Sequence, residues 1–238
     1  MEVPKVPRAP WGGFPDTIIV AEEGPIKQHP AYGPAKTGDV AASKELAAAF
    51  ALPDVVAQLK DLVGEIGQML VPVHAIEDQG INRIPAAFAE LLAERMGLDV
   101  AEDIVQANVV SHTGSSGWGR IARPPVFDGP VKAGHDYILV DDFVGQGGTL
   151  ANLRGLLVSG GATVSGAITL TGKNYSAKLT LDLITLQRLR EKHGPELEIW
   201  WQETFGYGLA CLTESEARYL IRAEDADTIR TKLLEAGS

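Results

Sequence analysis

The sequence contains only one cysteine, Cys211, so no disulfide can form within the chain. It has no apolar run that approaches the roughly 20 residues needed to cross a bilayer, and its first residues lack the apolar stretch of a secretory signal peptide. These absences favour a reducing, cytoplasmic setting. Since Cys211 lies in an apolar stretch, we expect a packed thiol rather than a nucleophile.

Positive charge is also scarce. The chain has 21 Lys and Arg against 31 Asp and Glu, which gives a formal net charge of −10. Nucleic acid and anionic membranes repel such a field, so neither is an expected partner. Apolar residues make up 45% of the 238 residues, which is typical of a globular protein with a core. The five histidines show no spacing typical of a metal site.

In the middle of the chain, strand patterns alternate with helical patterns. The predicted strands are 17–21, 69–74, 104–110, 137–140 and 163–171. The predicted helices are 39–67, interrupted at Pro53, then 85–96 and 149–159. Such alternation gives right-handed βαβ units. We therefore predict an α/β fold, with a mainly parallel sheet and helices on both faces.

Composition divides the chain into three predicted parts. Residues 1–37 are rich in Pro and Gly and form an N-terminal arm, and residues 38–175 form the α/β core. Residues 176–238 form a small C-terminal hood, with helices near 179–192 and 225–236 and a strand near 197–201. The polar segment 28–39 has a more specific composition than a linker, but the sequence assigns no role to it.

The most informative segment joins the strand 137–140 to the helix that follows it. The strand runs into Asp141 and Asp142, and a turn then opens the helix with Gly145, Gln146, Gly147, Gly148 and Thr149. Backbone N–H groups in such a turn, at the positive end of a helix, stabilise an anion such as phosphate. Glycine leaves room for the anion and permits positive φ, and Thr149 can add a hydroxyl donor.

Two common phosphate-binding motifs do not fit this turn. A Walker A loop ends in Gly-Lys-Ser/Thr, and this turn has no lysine. A dinucleotide-binding loop requires a third glycine, where this chain has Leu150, and an acidic residue about 20 positions further on. The next acidic residue after the turn is Asp182, which is too distant.

A hydrophobic strand, an acidic pair and a loop that ends in Gly-Gly-Thr resemble the phosphoribosyl pyrophosphate (PRPP) motif of type I phosphoribosyltransferases. The resemblance implies that the loop amides hold the 5′-phosphate and that Asp141 and Asp142 face the ribose hydroxyls. That division is chemically sensible, because hydroxyl donors favour anionic acceptors and phosphate favours amides. The resemblance also implies Mg²⁺ as cofactor, held at Asp141 and Asp142 through ribose or water. The chain departs from the family at Gly145-Gln146, where hydroxyl-bearing residues are usual.

The resemblance extends over roughly residues 69–210 and assigns further roles. Ala75, Ile76 and Glu77 would form the pyrophosphate loop. The polar segment 111–123 would be the mobile catalytic loop, with Arg120 and Arg123 neutralising the leaving pyrophosphate. Lys173 and Tyr207 are the weaker candidates for contacts with the base.

The implied reaction transfers a 5-phosphoribosyl group from PRPP to a nitrogenous base, with release of pyrophosphate. PRPP and a nucleobase or related small molecule are thus the expected partners; a homodimer is compatible with this interpretation. Glu77 and Asp78 would repel pyrophosphate unless Mg²⁺ lay between them. Together with Ala210, which stands where purine enzymes have an aspartate, they favour a non-catalytic module that binds PRPP or a nucleotide. A hydrolase of a phosphoribosyl compound also remains open.

Overall fold

The computed structural model describes residues 4–62, 68–74, 76–77, 80–108 and 116–237. The described strands, in chain order, are β1 (Ile18–Ala21), β2 (Gln68–Pro72), β3 (Ile76–Glu77), β4 (Gly80–Ile81), β5 (Asp99–Val100), β6 (Val105–Gln106), β7 (Phe127–Asp128), β8 (Asp136–Val144) and β9 (Thr163–Gly172). Five of them form the central sheet in the order β1-β9-β8-β2-β5, and every neighbouring pair is parallel. The other four form two antiparallel ribbons, β3-β4 and β6-β7.

Helices cover both faces of this sheet. They are α1 (Glu23–Gln28), α2 (Tyr32–Lys36), α3 (Val40–Phe50), α4 (Pro53–Lys60), α5 (Ile84–Met96), α6 (Gly117–Ala122), α7 (Gly148–Ser159), α8 (Leu183–Phe205), α9 (Glu214–Ile221) and α10 (Ala226–Gly237). No helix within the described ranges is long and apolar enough to cross a membrane.

The side chains of β8 show how the two faces are built. Tyr137 and Leu139 belong to one core cluster, which α7 and the C-terminal helices complete. Ile138 and Val140 belong to a second cluster with α3, α4 and α5. Because successive side chains of a strand leave on opposite sides, the apolar run Tyr137–Val140 of this strand needs a helical layer on each face. The predicted α/β fold is confirmed.

The order of the strands creates a topological switch point between β2 and β8. From β2 the chain moves outward to β5, and it then returns to the other side of β2 to form β8. The helices that follow β2 and β8, α5 and α7, pack on opposite faces. In open α/β sheets, ligands bind beyond the carboxyl ends of the strands at such a switch point. We therefore expect a ligand-binding site at the carboxyl ends of β2 and β8.

The N-terminal region is docked on the rest of the fold. Strand β1 forms one edge of the sheet beside β9. Ahead of it, the segment around residues 5–14 crosses α7 so closely that a Cβ at Gly155 would lie 1.9 Å from the carbonyl oxygen of Pro7. Arg154 of α7 donates hydrogen bonds to the carbonyls of Ala9 and Pro10, both at 3.0 Å. The predicted arm therefore contributes a strand and a buried strap.

Two predicted strands of the sequence are wrong. Residues 197–201 are helical, because Leu197, Trp201 and Phe205 form one buried face of α8, which continues past a kink at Gly194 (φ 72°, ψ 172°). The prediction 104–110 reduces to β6, which pairs with β7 in a ribbon outside the sheet; Val109 and Val110 lie outside the described residues. The edge position beside β2 is taken instead by β5. Cys211 is buried, as predicted.

Candidate functional site

The acidic pair lies within β8 rather than after it. The strand continues from the predicted 137–140 through both carboxylates to Val144, and Asp141 is in register with Thr169 of β9. Asp141 and Asp142 are only 6% and 8% exposed. Oδ1 of Asp141 accepts a hydrogen bond of 2.8 Å from the backbone N–H of Asp142, which keeps the first carboxylate beside the second residue.

Lys36, the last residue of α2, supplies the positive charge at this pair. Its Nζ lies 2.8 Å from Oδ2 of Asp142. Burial and the charge of Asp142 raise the pKa of Asp141 well above its ordinary range, whereas the charge of Lys36 acts in the opposite direction. One lysine thus faces two buried carboxylates. A further cation would lower the pKa of Asp141, because a nearby positive charge favours the charged form of a carboxyl group.

The glycine turn follows the last residue of β8, Val144, and starts α7. Gly147 precedes the first residue of the helix at φ 79°, and a Cβ there would lie 2.4 Å from Cδ2 of Leu179. Gly148 begins the helix, so the N–H groups of the turn lie at its positive end. Thr149 is the second helical residue, and Gln146 has a buried Oε1 without a hydrogen-bond partner among the described residues. The turn has the backbone form expected of an anion site.

Arg120 reaches this turn from α6. The position that a Cβ of Gly145 would occupy lies 3.2 Å from Nη1 of Arg120. Its Nε is buried and has no hydrogen-bond partner in the described part of the chain. The predicted mobile loop 111–123 therefore contains a helix over residues 117–122, capped by the hydroxyl of Ser116; residues 111–115 lie outside the described residues. Arg123 is exposed at the end of that helix, and its role stays a prediction.

Part of the predicted pyrophosphate loop lies outside the described residues. Ala75 is not among the described residues, and Ile76–Glu77 forms the short ribbon with β4. Just before it, the backbone N–H of Val73 donates to the carbonyl of Val140 at 2.8 Å. The segment therefore leaves β2 beside the acidic end of β8. The roles of these three side chains stay predictions.

Of the two candidates for contacts with a base, one lies at this edge and the other does not. Lys173 follows β9, is exposed, and forms an ion pair with Glu23 of α1. Tyr207 is 6% exposed, with the guanidinium of Arg8 stacked 4.8 Å from its ring centre and Phe205 on another side. The prediction for Tyr207 is corrected: its ring belongs to the hood core and has no face open to a base.

Several residues at the site were missed in the sequence. Lys36 comes from the segment 28–39, where nothing local indicates that its ammonium meets Asp142. Behind the glycine turn, the hydroxyl of Thr213 donates 2.6 Å to the carbonyl of Gln146. The Thr-x-x-Glu spacing of Thr213 and Glu216 is a capping-box pattern that the sequence did offer.

No protein-family model matches the sequence. Protein TraN of Escherichia coli is 42% identical over 229 residues, which cover 96% of this chain and 51% of that protein. An uncharacterised protein of Haemophilus influenzae is 43% identical over 152 residues, which cover 63% of this chain and 34% of that protein. The chain thus spans about half the length of the first relative and about a third of the second.

Solved structures with some likeness include phosphoribosyltransferases. An adenine phosphoribosyltransferase has a TM-score of 0.37 at 15% identity, covering 58% of this chain and 74% of that one. The adenine phosphoribosyltransferase of Thermoanaerobacter pseudethanolicus has a TM-score of 0.36 at 18% identity, and the match covers 58% of this chain and 76% of that one. The UMP synthase of Leishmania donovani has a TM-score of 0.34 at 15% identity, and the match covers 76% of this chain and 33% of that one. TM-scores below 0.5 do not indicate a shared activity, so any functional assignment depends on the residues of the chain's own site.

Proposed function

We propose that this chain is a Mg²⁺-dependent phosphoribosyltransferase, which moves the 5-phosphoribosyl group of PRPP to a nitrogenous base and releases pyrophosphate. One observation carries the proposal. Two buried carboxylates, Asp141 and Asp142, lie in the last part of the strand after which a glycine turn opens α7. This combination lies at the switch point of a parallel sheet, where α/β proteins bind their ligands. A phosphorylated sugar offers an anion for the turn and hydroxyls for the acids.

The turn from Gly145 to Thr149 holds the 5′-phosphate in this proposal. Its backbone amides and the N-terminus of α7 form the anion site. Arg120 adds a guanidinium beside Gly145, and Arg and phosphate form strong charge-assisted hydrogen bonds. The buried Nε of Arg120, which has no hydrogen-bond partner among the described residues, supports this assignment, since a buried donor without a partner costs free energy.

Asp141 and Asp142 accept hydrogen bonds from the ribose hydroxyls and, through ribose or water, help to hold Mg²⁺. The raised pKa of Asp141 supports a metal here, because burial and the neighbouring carboxylate disfavour its ionisation until more positive charge arrives. The described residues contain no cluster of three or more His, Cys, Asp or Glu side chains that could hold the ion. Oxygens of the substrate and of water would complete its shell, as is usual for Mg²⁺ bound with phosphates.

The chain's contribution to the reaction is positioning and charge. The bond from C1 of the ribose to pyrophosphate breaks, a bond from C1 to a ring nitrogen of the base forms, and that nitrogen loses its proton. The acids fix the sugar while C1 becomes oxocarbenium-like, and holding both reactants in line removes much of the entropic barrier. Arg123 offsets the negative charge of the departing pyrophosphate, whereas Arg120, beside Gly145, is assigned to the 5′-phosphate.

A second candidate is a module that binds PRPP or a nucleotide without chemistry. The observation that favours it is the ion pair of Lys36 with Asp142, because a resident cation satisfies one of the two acids without metal. A hydrolase of a phosphoribosyl compound would use the same contacts and differs only in the acceptor, which is water. The cytoplasmic setting and a homodimer remain predictions.

The test is calorimetric titration with PRPP and Mg²⁺, followed by pyrophosphate release with a panel of bases. Asp141→Asn combined with Asp142→Asn should abolish both binding and turnover. Asp136→Asn is the matched control, because Asp136 is an acid at the opposite end of the same strand, bonded to Gln68 and Thr163. It should retain wild-type binding.

Each other outcome has a definite meaning. Binding without release of pyrophosphate for any base supports the binding module, and release of ribose 5-phosphate without a base supports the hydrolase. Wild-type protein that binds neither PRPP nor ribose 5-phosphate, or an Asp141/Asp142 double variant that keeps its activity, contradicts the proposal.

A further inference from the structure

A buried ion pair lies directly behind the glycine turn. Nη1 and Nη2 of Arg8 donate to the two carboxylate oxygens of Glu216 at 2.6 and 2.9 Å, and each side chain is only 3% exposed. Arg8 belongs to the N-terminal strap, whereas Glu216 lies in α9 of the hood. The pair therefore joins two distant parts of the chain at the back of the proposed phosphate site.

A chain of short hydrogen bonds runs from this pair to the turn. Oε2 of Glu216 also accepts from the backbone N–H of Thr213 at 2.9 Å. The hydroxyl of Thr213 accepts from the backbone N–H of Glu216 at 3.0 Å and donates to the carbonyl of Gln146 at 2.6 Å. Since that carbonyl belongs to the peptide bond that supplies the N–H of Gly147, the contact fixes the direction of an amide in the anion site.

The same pair contacts the start of α7. A Cβ at Gly148 would lie 2.7 Å from Oε1 of Glu216 and 3.3 Å from Nη2 of Arg8. Nε of Arg8 donates to Oδ1 of Asn152, one turn further along the helix, at 2.7 Å. Arg8 thus touches the helix at its first residue and at its second turn, and both the turn and the helix N-terminus are held from behind.

Charge gives a second reason for Arg8. A buried carboxylate beside a helix N-terminus would repel a bound phosphate, and the bidentate guanidinium neutralises it. Buried ion pairs of this kind are weak evidence for stability, because desolvation offsets much of the attraction. What the planar guanidinium offers over an ammonium is fixed, bidentate geometry.

We propose that Arg8, acting through Glu216 and Thr213, is a positioning residue for the phosphate-binding turn 145–149. This inference rests on the proposed function for the identity of the ligand. The N-terminal strap is then part of the site's construction.

Arg154 provides a matched control for the test. It is a second buried arginine that fastens the same strap to the same helix, through the carbonyls of Ala9 and Pro10. It lies beyond Asn152 in the sequence of α7 and has no hydrogen bond to the turn among those of the described residues. Arg8→Lys and Arg154→Lys both keep a positive charge and lose the guanidinium geometry.

The experiment compares the two variants by thermal unfolding, by titration with PRPP and Mg²⁺, and by ¹⁵N order parameters of the Gly147 and Gly148 amides without ligand. Both variants should lower the melting temperature. Only Arg8→Lys should weaken PRPP binding, by tenfold or more, and loosen the two amides. If Arg8→Lys does not fold, Glu216→Gln tests the same series of hydrogen bonds, because the amide oxygen of the glutamine can still cap α9.

Three results are decisive against parts of this picture. Wild-type affinity for PRPP and rigid amides in Arg8→Lys would overturn the positioning role. Equal losses of PRPP affinity in Arg8→Lys and Arg154→Lys would also overturn it, because any loosening of the strap would then have the same effect. If the wild-type protein binds no PRPP, the proposed function fails. The order parameters then still decide whether Arg8 orders the turn.

Discussion

The ammonium of Lys36 lies 2.8 Å from Oδ2 of Asp142, so a residue of the short helix α2 neutralises one acid of the pair in β8. The lysine side chain is 24% exposed and the aspartate side chain 11%, so the contact lies at the mouth of the site rather than in the core. In the proposed function, a cation in this place would compete with Mg²⁺ for the same carboxylate. It also lowers the repulsion between Asp141 and Asp142 when no metal is bound.

Replacing Lys36 should therefore make the unliganded protein less stable and, at the same time, strengthen its binding of Mg²⁺. Lys36→Met removes the charge but keeps the length of the side chain. Without ligand, the free energy of unfolding should fall by about 1 kcal/mol at neutral pH, as expected for a partly buried ion pair. In the presence of PRPP, the Mg²⁺ concentration at half saturation should fall roughly fivefold, which is the same free energy expressed as affinity.

Denaturant unfolding and Mg²⁺ titrations at fixed PRPP measure the two effects of Lys36→Met. Lys44→Met is the control, because Lys44 makes an exposed ion pair with Glu90 on α5, away from the acids. An increased need for Mg²⁺ in Lys36→Met would mean that the lysine assists the ligand instead of competing with the metal.

Asp141 should make the stability of the unliganded protein depend on pH. Burial and the charge of Asp142 raise its pKa in the folded state. The stability that it contributes is complete below its unfolded pKa of about 3.9 and is lost as pH rises through the folded value. Asp141→Asn keeps the shape and the oxygen that accepts from Asp142 but cannot ionise, so it should melt at a higher temperature than wild type at neutral pH.

The difference in melting temperature between Asp141→Asn and wild type should shrink toward zero as the pH falls below about 4. Thermal scans between acid and neutral pH measure it. A variant that is less stable than wild type at neutral pH would show that the carboxylate is already compensated in the folded protein. The same substitution should weaken PRPP binding, so the acid favours the ligand at the expense of stability, as functional groups often do.

The glycine at position 147 should be required for both geometry and space. Gly147→Ala places a Cβ at φ 79° and 2.4 Å from Leu179, whereas Gly134→Ala meets a similar φ of 76° with no atom within 4 Å. The backbone cost of about 1–2 kcal/mol is common to both, and overpacking should add about 1–3 kcal/mol at position 147 only. Only Gly147→Ala should lose PRPP affinity, by tenfold or more in titration calorimetry. Equal affinity in the two variants would remove the turn from the site.

The parts of the site that the sequence predicts are those encoded locally. The strand, the acidic pair and the glycine turn are consecutive from Tyr137 to Thr149, so their order alone brings carboxylates and helix amides to one sheet edge. The contacts of Lys36 and Arg8 could not be found in this way. Arg8 and Glu216 are 208 residues apart in the chain, and no period or motif links positions whose meeting depends on how the strap and hood pack.

The wrong strand at 197–201 shows a different limit. Its residues Ile199, Trp200 and Trp201 favour strands, and a window of five residues is too short to show a helical period. The period becomes visible only over Leu197, Trp201 and Phe205, which lie four residues apart on the buried face of α8. The kink at Gly194, with Pro195 after it, hides the link to the preceding helix.

The two arginines of the predicted catalytic loop should differ in importance, because the structure brings only one to the turn. Arg120 lies beside Gly145, and its buried Nε has no partner in the described part of the chain, whereas Arg123 is exposed at the end of α6. A charge-assisted hydrogen bond is worth about 1.5–3 kcal/mol, so Arg120→Ala should weaken PRPP binding roughly 10- to 100-fold. Arg123→Ala should change the affinity less than about threefold at moderate salt, because an exposed charge is screened. Its effect should appear in the rate of pyrophosphate release, if it acts on the leaving group. Equal losses of affinity in the two variants would contradict this assignment and place both guanidiniums on the bound ligand.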